Sequence, residues 1–207
     1  MGDERRSHIF IVSGPSGSGK STLVATLLNE VPNTIFSVSY TTRPPRPGEQ
    51  EGREYHFVSR SAFEAMVARN EFLEWANVYG FFYGTHQSYV ALAEEQQRDL
   101  VLDIDVQGAQ QVKQRRPDAI AIFLVPPSRR ELERRIRSRG LDAGDAIRRR
   151  LEQARLEIQN CDCYDYIVIN EDLSQAKAEV RSIALAERCR SGARDGRVKA
   201  ILESFGG

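Results

Sequence analysis

The sequence predicts an α/β fold of three layers, in which helices cover both faces of a parallel sheet. Short apolar runs rich in β-branched residues recur along the chain, and a helical stretch separates each run from the next. Such runs are typical of parallel strands that are buried on both faces. A central stretch has a different, aromatic-rich pattern and indicates an insert. We therefore expect a core domain of residues 1–36 and 90–207, and an insert of residues 37–89.

Length, composition and charge exclude several classes of protein. The chain has 207 residues, of which 41% are hydrophobic and 28% charged, so a disordered or fibrous protein is excluded. Lys and Arg number 29 and so do Asp and Glu, so no overall charge draws the chain to nucleic acid or to an acidic membrane. No apolar run reaches membrane-spanning length and the first residues lack a signal-peptide pattern, so we expect a cytoplasmic protein. The sequence does not determine whether it is a monomer or a homo-oligomer.

Four apolar runs are the predicted strands of the core. They occupy residues 8–12, 100–104, 119–125 and 166–169. A glycine-rich loop follows the first run, and Leu23, Leu27 and Leu28 then repeat with helical spacing. The chain thus passes from strand through glycine loop to helix. The three cysteines are an odd number without zinc-site spacing, so we expect reduced thiols and no zinc site.

The insert and the later helices have their own signals. The prolines of residues 43–48 exclude a helix there, and alternating aromatic pieces between residues 55 and 83 predict a small antiparallel sheet. Residues 128–155 are crowded with arginine and interrupted by glycines at 140 and 144, which predicts two helices joined by a turn, with a lid over residues 137–150. A C-terminal amphipathic helix follows Leu173, and we expect residues 191–196 to fray.

Residues 14–21 read GPSGSGKS and match the phosphate-binding loop motif G-x-x-x-x-G-K-[ST] in full, after a strand and at the start of a helix. Glycines let backbone N–H groups surround a phosphate, Lys20 reaches the β and γ oxygens, and the Ser21 hydroxyl can ligate Mg²⁺. The alternative is a glycine turn that merely starts a helix. The motif predicts a P-loop NTPase core that binds ATP or GTP. The predicted phosphate-binding residues are Gly14, Pro15, Ser16, Gly17, Ser18, Gly19, Lys20, Ser21 and Thr22.

Two carboxylates, Asp103 and Asp105, follow the strand at residues 100–104. A P-loop fold needs such groups to hold hydrated Mg²⁺ beside the triphosphate. Their spacing of two residues predicts that both point to the same side of the pleat. The alternative for either one is a helix cap. We expect Asp103 and Ser21 to be the metal-side residues.

The arginine-rich stretch and the insert have residues suited to stabilising the transferring phosphoryl group and to binding its acceptor. Guanidinium groups that close over the reacting phosphates neutralise the charge of the transition state and exclude water. We expect three of the lid arginines to act in this way and the others to be solvated. In the insert, Arg43 and Arg46 lie on a proline-stiffened loop that suits a second phosphate, whereas Tyr55 and Tyr83 either donate hydroxyls to it or belong to the core of the small sheet.

Glu74 is an isolated charge on an otherwise apolar strand. A buried carboxylate requires a partner, and a base with two adjacent N–H donors would be one.

These segments together resemble the guanylate kinase family from about His8 to Arg190. The resemblance rests on the loop at 14–21, the segment SYTTRPPRPGE at 39–49, FLEWA at 72–76, YGT at 83–85, LDIDVQG at 102–108, the arginine lid and YIVIN at 166–170. It implies Mg²⁺-dependent phosphoryl transfer from ATP to GMP or dGMP, giving ADP and GDP.

The resemblance also implies roles for single residues. It assigns catalysis to Lys20, Arg43, Arg135, Arg139 and Arg150, and the adenine side to Asn170. GMP would be bound by Ser39, Arg43, Arg46, Glu49, Tyr55, Glu74, Tyr83, Thr85 and Asp105. Glu74 and Thr85 would read the guanine.

Two other functions fit parts of the pattern. A related P-loop kinase would use another acceptor, such as a ribose bisphosphate or another nucleoside monophosphate, and Glu74 with Thr85 argues against it. A guanylate-kinase-like binding module without turnover typically has a degraded phosphate loop, whereas Lys20 and Ser21 are intact here.

Overall fold

A computed structural model describes residues 7–138 and 144–205 of the chain. The strands are β1 (Ile9–Ser13), β2 (Thr34–Phe36), β3 (Tyr40–Thr41), β4 (His56–Phe57), β5 (Phe72–Val78), β6 (Phe81–His86), β7 (Asp99–Asp103), β8 (Ile120–Val125) and β9 (Tyr166–Ile169). The helices are α1 (Lys20–Glu30), α2 (Arg60–Ala68), α3 (Ser88–Glu95), α4 (Val106–Arg115), α5 (Arg129–Ser138), α6 (Gly144–Gln159), α7 (Leu173–Glu187) and α8 (Ser191–Ser204).

The larger sheet has the strand order β2-β7-β1-β8-β9, and every neighbouring pair is parallel. Side chains of β1 alternate between its two faces, so that Ile11 packs with Leu102 and Phe123 on one side. Phe10 packs on the other side with Leu23 of α1. Both faces are therefore buried, and the predicted three-layer α/β fold is confirmed.

The four predicted core strands are present within one residue of the predicted bounds. The fifth strand, β2, was not predicted; it forms one edge of the sheet, beside β7. It has only three residues, and it lies in the sheet because Thr34, Ile35 and Phe36 pair in register with β7. A run this short carries no periodicity that sequence reasoning can detect.

The smaller sheet has the order β4-β3-β6-β5. The prediction that it is antiparallel was wrong for one pair: β3 with β6 and β5 with β6 are antiparallel, but β3 and β4 are parallel. The backbone that joins β3 to β4 is long enough to return the chain to the same end of the sheet, so no tight hairpin connects these strands. Phe63 of α2 stacks on Phe72 of β5 and closes the core of this unit.

The arginine-rich stretch forms α5 and α6, as predicted. Leu132 and Ile136 of α5 pack against Ile147 and Leu151 of α6 in a small core of their own. Arg139, and the glycine break as far as residue 143, lie outside the described residues.

The C-terminal part is α7, which was predicted, and α8, which was not. Residues 191–196 were expected to fray, and this prediction was wrong because they form the first turns of α8. That helix buries none of its side chains, so the periodicity that would have predicted it is absent. Across residues 7–138 and 144–205, no helix combines the length and the apolar character needed to span a membrane.

Candidate active site

A cavity of about 440 Å³ lies among the glycine loop, the smaller sheet and α6. It brings together most of the residues that the sequence singled out. The predicted residues that line it are Gly14, Ser16, Gly17, Gly19, Lys20, Ser21, Ser39, Arg46, Tyr55, Glu74, Tyr83, Asp103, Asp105 and Arg150. The other predicted residues of the described chain do not line it: they are Pro15, Ser18, Thr22, Arg43, Glu49, Thr85, Arg135 and Asn170.

The glycine loop joins β1 to α1 and requires glycine at two close approaches. Gly14 has a φ of 140°, and a Cβ there would lie 2.5 Å from the Leu124 carbonyl oxygen. Gly19, the N-cap of α1, has a φ of 104°, and its Cβ would lie 2.3 Å from Nδ2 of Asn170. Side chains at these positions would force the loop away from β8 and from Asn170, so the glycines allow the loop to curl tightly over the end of the sheet.

The loop also has side-chain supports. The Lys20 ammonium donates to the Gly14 carbonyl at 2.7 Å, which folds it over the loop. Asn170, which is buried at the end of β9, donates from Nδ2 to the Ser18 carbonyl at 2.7 Å. Nη1 of Arg135 approaches the same carbonyl at 3.5 Å, and Nη2 of Arg135 donates to the Asn170 carbonyl at 3.1 Å. Asn170 therefore supports the phosphate loop, and its predicted place on the adenine side stays a prediction.

Asp103 and Asp105 both line the cavity, but they do not share a strand. The expectation that both point to one side of a pleat was wrong, because β7 ends at Asp103. Asp105 is the N-cap of α4, where its Oδ1 accepts from the Gly108 N–H at 2.8 Å. Burial raises the pKa of Asp103, and the positive charge of Lys20 opposes that rise.

Glu74 is only 3% exposed, so the isolated charge predicted on β5 is buried. It pairs in register with Thr85 of β6, whose hydroxyl donates to Oε1 of Glu74 at 2.6 Å. Burial is the main cause that raises its pKa from 4.5 to about 7; donation from Thr85 opposes the rise, and the negative charge of Asp105 adds to it. The carboxylate thus accepts from Thr85 and also lines the cavity, in a buried setting where leaving its oxygens unpaired is costly.

The proline-rich loop carries an ion pair. Nη2 of Arg43 donates to both carboxylate oxygens of Glu49 at 2.8 and 2.9 Å, and Oε2 of Glu49 also accepts from the Arg46 N–H at 2.7 Å. The Arg43 guanidinium lies 5.3 Å from the centre of the Tyr55 ring. Glu49 therefore orients Arg43 behind the tyrosine, while Arg46 and Tyr55 face the cavity.

Exposure separates the described arginines of α5 and α6 into two groups. Arg135 and Arg150 are half-buried, and Nη1 of Arg150 reaches Oγ of Ser16 in the loop at 3.4 Å. The exposed arginines are Arg129, Arg130, Arg134, Arg137, Arg148, Arg149 and Arg155. Arg135 and Arg150 are thus the half-buried arginines of these helices that reach the glycine loop, and the expectation that only some arginines act on the reaction stays a prediction.

Sequence reasoning missed several residues that line the cavity. They are Ala76, Asn77, Val78, Tyr79, Ile104, Gln107, Gln153, Ala154 and Glu157. Burial raises the pKa of Glu157, and the charge of Lys20 opposes that rise. The signal that would have found this glutamate is helical spacing, since it follows Arg150 by seven residues on α6.

Comparisons with known proteins agree with this geometry. The family model described as guanylate kinase matches residues 6–187. The guanylate kinase of Dechloromonas aromatica is 48% identical, with 95% of this chain and 97% of that protein covered. That of Koribacter versatilis is 54% identical, with 88% of this chain and 79% of that protein covered. A crystal structure of guanylate kinase from Anaplasma phagocytophilum has a TM-score of 0.74 at 32% identity and covers 91% of this chain and 89% of that one.

The family model spans most of the chain, and the match covers 79% or more of the length of each of these relatives. The match includes the glycine loop, both sheets and helices α5 and α6. The chain therefore belongs to the guanylate kinase family and is a nucleoside monophosphate kinase, an ATP:GMP phosphotransferase.

Proposed function

We propose that the cavity transfers the γ-phosphoryl group of ATP reversibly and in line to the phosphate of GMP or dGMP. The observation that carries this proposal is Glu74, a buried carboxylate that lines the same cavity as the phosphate loop. A site with a loop for a triphosphate and a separate hydrogen-bonding pocket for a base is suited to two nucleotides at once. A reaction between the two then becomes effectively intramolecular.

Glu74 and Thr85 read the guanine. Guanine offers N1–H and its exocyclic amine as adjacent donors, and an ionised carboxylate can accept from both. Adenine has an acceptor at N1 and would leave the carboxylate unpaired in a buried place. Hydrogen-bonding sites of this kind reject the wrong ligand by about 10⁴ to 10⁵.

The phosphate of GMP is held by the proline-rich loop and the tyrosines of the insert. Ser39, Arg46, Tyr55 and Tyr83 line the cavity, which supports this assignment. Arg43 acts from just behind them, in the orientation that Glu49 imposes. Asp105, at the start of α4, is the remaining residue on the GMP side.

The triphosphate of ATP is gripped by the backbone of residues 14–22 and by Lys20. The positive end of α1 begins at Lys20, so the helix adds favourable charge where the phosphates would lie. Asn170 lies on the adenine side and also holds the loop through Ser18.

Arginines neutralise the charge that spreads over the transferring group. Arg135 and Arg150 come from the two lid helices and reach the loop at Ser18 and Ser16. Arg139 completes the set. No catalytic base is required, because the acceptor phosphate is already an anion at neutral pH, so catalysis is positioning and charge neutralisation.

The residues present fit the Mg²⁺ that guanylate kinases use with ATP. Within the described residues, no group of three or more His, Cys, Asp or Glu side chains is placed to hold a metal. Mg²⁺ suits such a site, since it is usually held by one or two protein oxygens together with substrate phosphates and water. Ser21 and Asp103 would supply the protein oxygens, and both line the cavity. When bound, the ion would neutralise phosphate charge during transfer.

Turnover measurements with a panel of acceptors test the proposal. We expect ATP with Mg²⁺ to phosphorylate GMP and dGMP, and to leave AMP, UMP and ribose phosphates nearly unused. The exchange Glu74→Gln should raise the KM for GMP and lower selectivity over AMP while leaving the KM for ATP unchanged. A preference for AMP, or an unchanged KM for GMP in this variant, would contradict the guanine assignment.

We also infer that residues 37–89 form a GMP-binding insert, and that residues 1–36 and 90–207 form the core. The lid, residues 137–150, belongs to that core. A cytoplasmic location also stays a prediction from the sequence.

A further inference from the structure

Helix α4 lies along the outer edge of β5, the strand that carries Glu74. In the smaller sheet β5 is the last strand, hydrogen-bonded only to β6 on its other side. The face of α4 toward β5 consists of Gly108, Gln111 and Arg115, which follow one another at helical spacing. Helix α4 follows β7 of the larger sheet, so this contact links the larger sheet to β5 of the smaller one.

Gln111 supplies what a neighbouring strand would supply. Its Nε2 donates to the Trp75 carbonyl at 2.7 Å, and its Oε1 accepts from the Trp75 N–H at 3.3 Å. Both backbone groups of the residue after Glu74 are thereby satisfied by one side chain. An amide with a donor and an acceptor side by side can do this, and an apolar side chain cannot.

Arg115 binds β5 at an irregularity. The pairing of β5 with β6 shifts between Phe72 and Glu74. Nη1 of Arg115 donates to the Phe72 carbonyl at 2.8 Å and to the Leu73 carbonyl at 2.6 Å. A bulge of this kind re-aims the side chain that follows it, here Glu74.

Gly108 leaves the space that the carboxylate occupies. A Cβ at this position would lie 2.5 Å from Oε2 of Glu74 and 3.0 Å from its Cδ. The Thr85 hydroxyl donates to the other carboxylate oxygen, Oε1. A methyl group at residue 108 would therefore displace the part of Glu74 that remains for the base.

We propose that α4 is a positioning element for base recognition: Gly108 makes room for the Glu74 carboxylate, and Gln111 holds the main chain beside it. The inference rests on the proposed reading of guanine by Glu74. Helix α4 starts directly after Asp105, two residues beyond the end of β7 at Asp103. The helix that contacts Glu74 thus begins beside the carboxylates that line the cavity.

The exchange Gly108→Ala tests the proposal. Alanine has a higher helix propensity than glycine, so the fold should be kept while the Glu74 carboxylate is displaced. We expect the KM for GMP to rise about tenfold or more. The KM for ATP should stay unchanged, and the melting temperature should not fall. Gly192→Ala is the matched control, since it makes the same exchange in α8 where nothing lies within 4 Å of the added Cβ; it should change neither KM.

The second variant is Gln111→Leu, which removes both hydrogen bonds to Trp75 at similar volume. We expect it also to raise the KM for GMP and not that for ATP. Gln110→Leu, on the exposed side of the same helix, is its control and should leave both values unchanged. If Gly108→Ala does not fold, Gln111→Leu decides the question.

Both variants are then combined with Glu74→Gln. If α4 acts through Glu74, neither exchange should raise the KM for GMP further in that background. Equal effects in both backgrounds, or no effect of Gly108→Ala and Gln111→Leu on the KM for GMP, would overturn the inference. No effect of Glu74→Gln alone would instead contradict the proposed function, so the two failures are distinguishable.

Discussion

Glu74 combines a functional requirement with a cost to stability. Burial raises its pKa to about 7, so near neutral pH the ionised form is held in a place that disfavours it. The hydroxyl of Thr85 offsets part of this cost by donating at 2.6 Å. A carboxylate that is to accept from two N–H groups of a base must be partly unpaired before the base binds. Such residues commonly reduce stability in exchange for activity.

This cost predicts a pH-dependent gain of stability in Glu74→Gln. Between pH 4.5 and 7 the native protein holds a proton on Glu74 that the unfolded chain has lost. The contribution of this group to the free energy of unfolding is therefore highest below pH 4.5, the pKa in the unfolded chain. It falls by on the order of 3 kcal/mol as the pH rises from there through about 7, the pKa in the folded protein. We expect the variant to exceed the wild type in melting temperature at pH 8 by more than at pH 5.

Thermal unfolding at the two pH values measures this difference. Glu95→Gln on the exposed side of α3 is the control and should give the same small change at both. If the difference between Glu74→Gln and the wild type did not depend on pH, the buried carboxylate would not have the raised pKa.

The same raised pKa predicts how recognition of GMP depends on pH. Only the ionised carboxylate can accept from both guanine donors, so the KM for GMP should rise as the pH is lowered from 8 to 6. The KM for ATP, measured at saturating GMP, serves as the internal control. A KM for GMP that stayed constant over this range would contradict an ionised Glu74 as the acceptor.

Lys20 is the single ammonium group of the phosphate loop, and it is held by the Gly14 carbonyl. The exchange Lys20→Ala should lower kcat by about a hundredfold or more, because its charge is directed at the transferring phosphate. The melting temperature should change little, since the hydrogen bonds of the Lys20 side chain go to backbone carbonyls of its own loop. Lys199→Ala in α8 is a matched exchange of an exposed lysine. Steady-state kinetics that did not change in Lys20→Ala would refute the role.

Among the elements, α4 has two separate tasks at its first turn. Its N-cap Asp105 accepts from the Gly108 N–H, which supports the helix. The same residue lines the cavity, where it is proposed to contact GMP. A single residue thus caps α4 and also lines the cavity.

Two exchanges at Asp105 separate these tasks. Asp105→Ala removes the cap and should cost about 1 kcal/mol of stability, whereas Asp105→Asn keeps a capping oxygen and should cost little. Both remove the charge, so both should raise the KM for GMP if Asp105 contacts the substrate. Denaturant unfolding measures the first effect and initial rates the second. A normal KM for GMP in Asp105→Asn would leave the residue with its structural role alone.

At the scale of the whole molecule, Asp99 connects distant parts of the chain. It is fully buried at the start of β7 and accepts from the His8 N–H at 3.0 Å and from Nε of Arg188 at 2.7 Å. Arg188 also donates to the Pro32 carbonyl at 2.6 Å. The end of α7 is thereby attached to the edge of the larger sheet, opposite the end where the cavity lies.

The exchange Arg188→Met should lower the free energy of unfolding by on the order of 2 kcal/mol, because a hydrogen bond to a buried charged group is lost. The KM values for both nucleotides at low temperature should stay unchanged, since the site is remote. Arg181→Met, an exposed position on the same helix, is the control for the loss of a surface charge. A variant as stable as the wild type would show that Arg188 contributes no net stability.

The sequence alone predicts the features that depend on local pattern. The four long core strands follow from continuous apolar runs, and the glycine loop from the spacing of Gly14, Gly19, Lys20 and Ser21. The odd charge at Glu74 was also visible as a break in an apolar strand. These signals are local because a strand buried on both faces, or a loop around a phosphate, constrains each of its own residues.

The tertiary structure decided the features that depend on distant partners. Strand β2 and the parallel pairing of β3 with β4 exist through hydrogen bonds to remote strands. That Gly108 makes room for Glu74 follows only once α4 lies against β5. The sequence by itself therefore determined the core strands, the phosphate loop and the chemical types at the site, while the structure determined which of them meet. The physical reason is that packing and hydrogen bonding between elements depend on three-dimensional distance, which residue spacing along the chain does not encode.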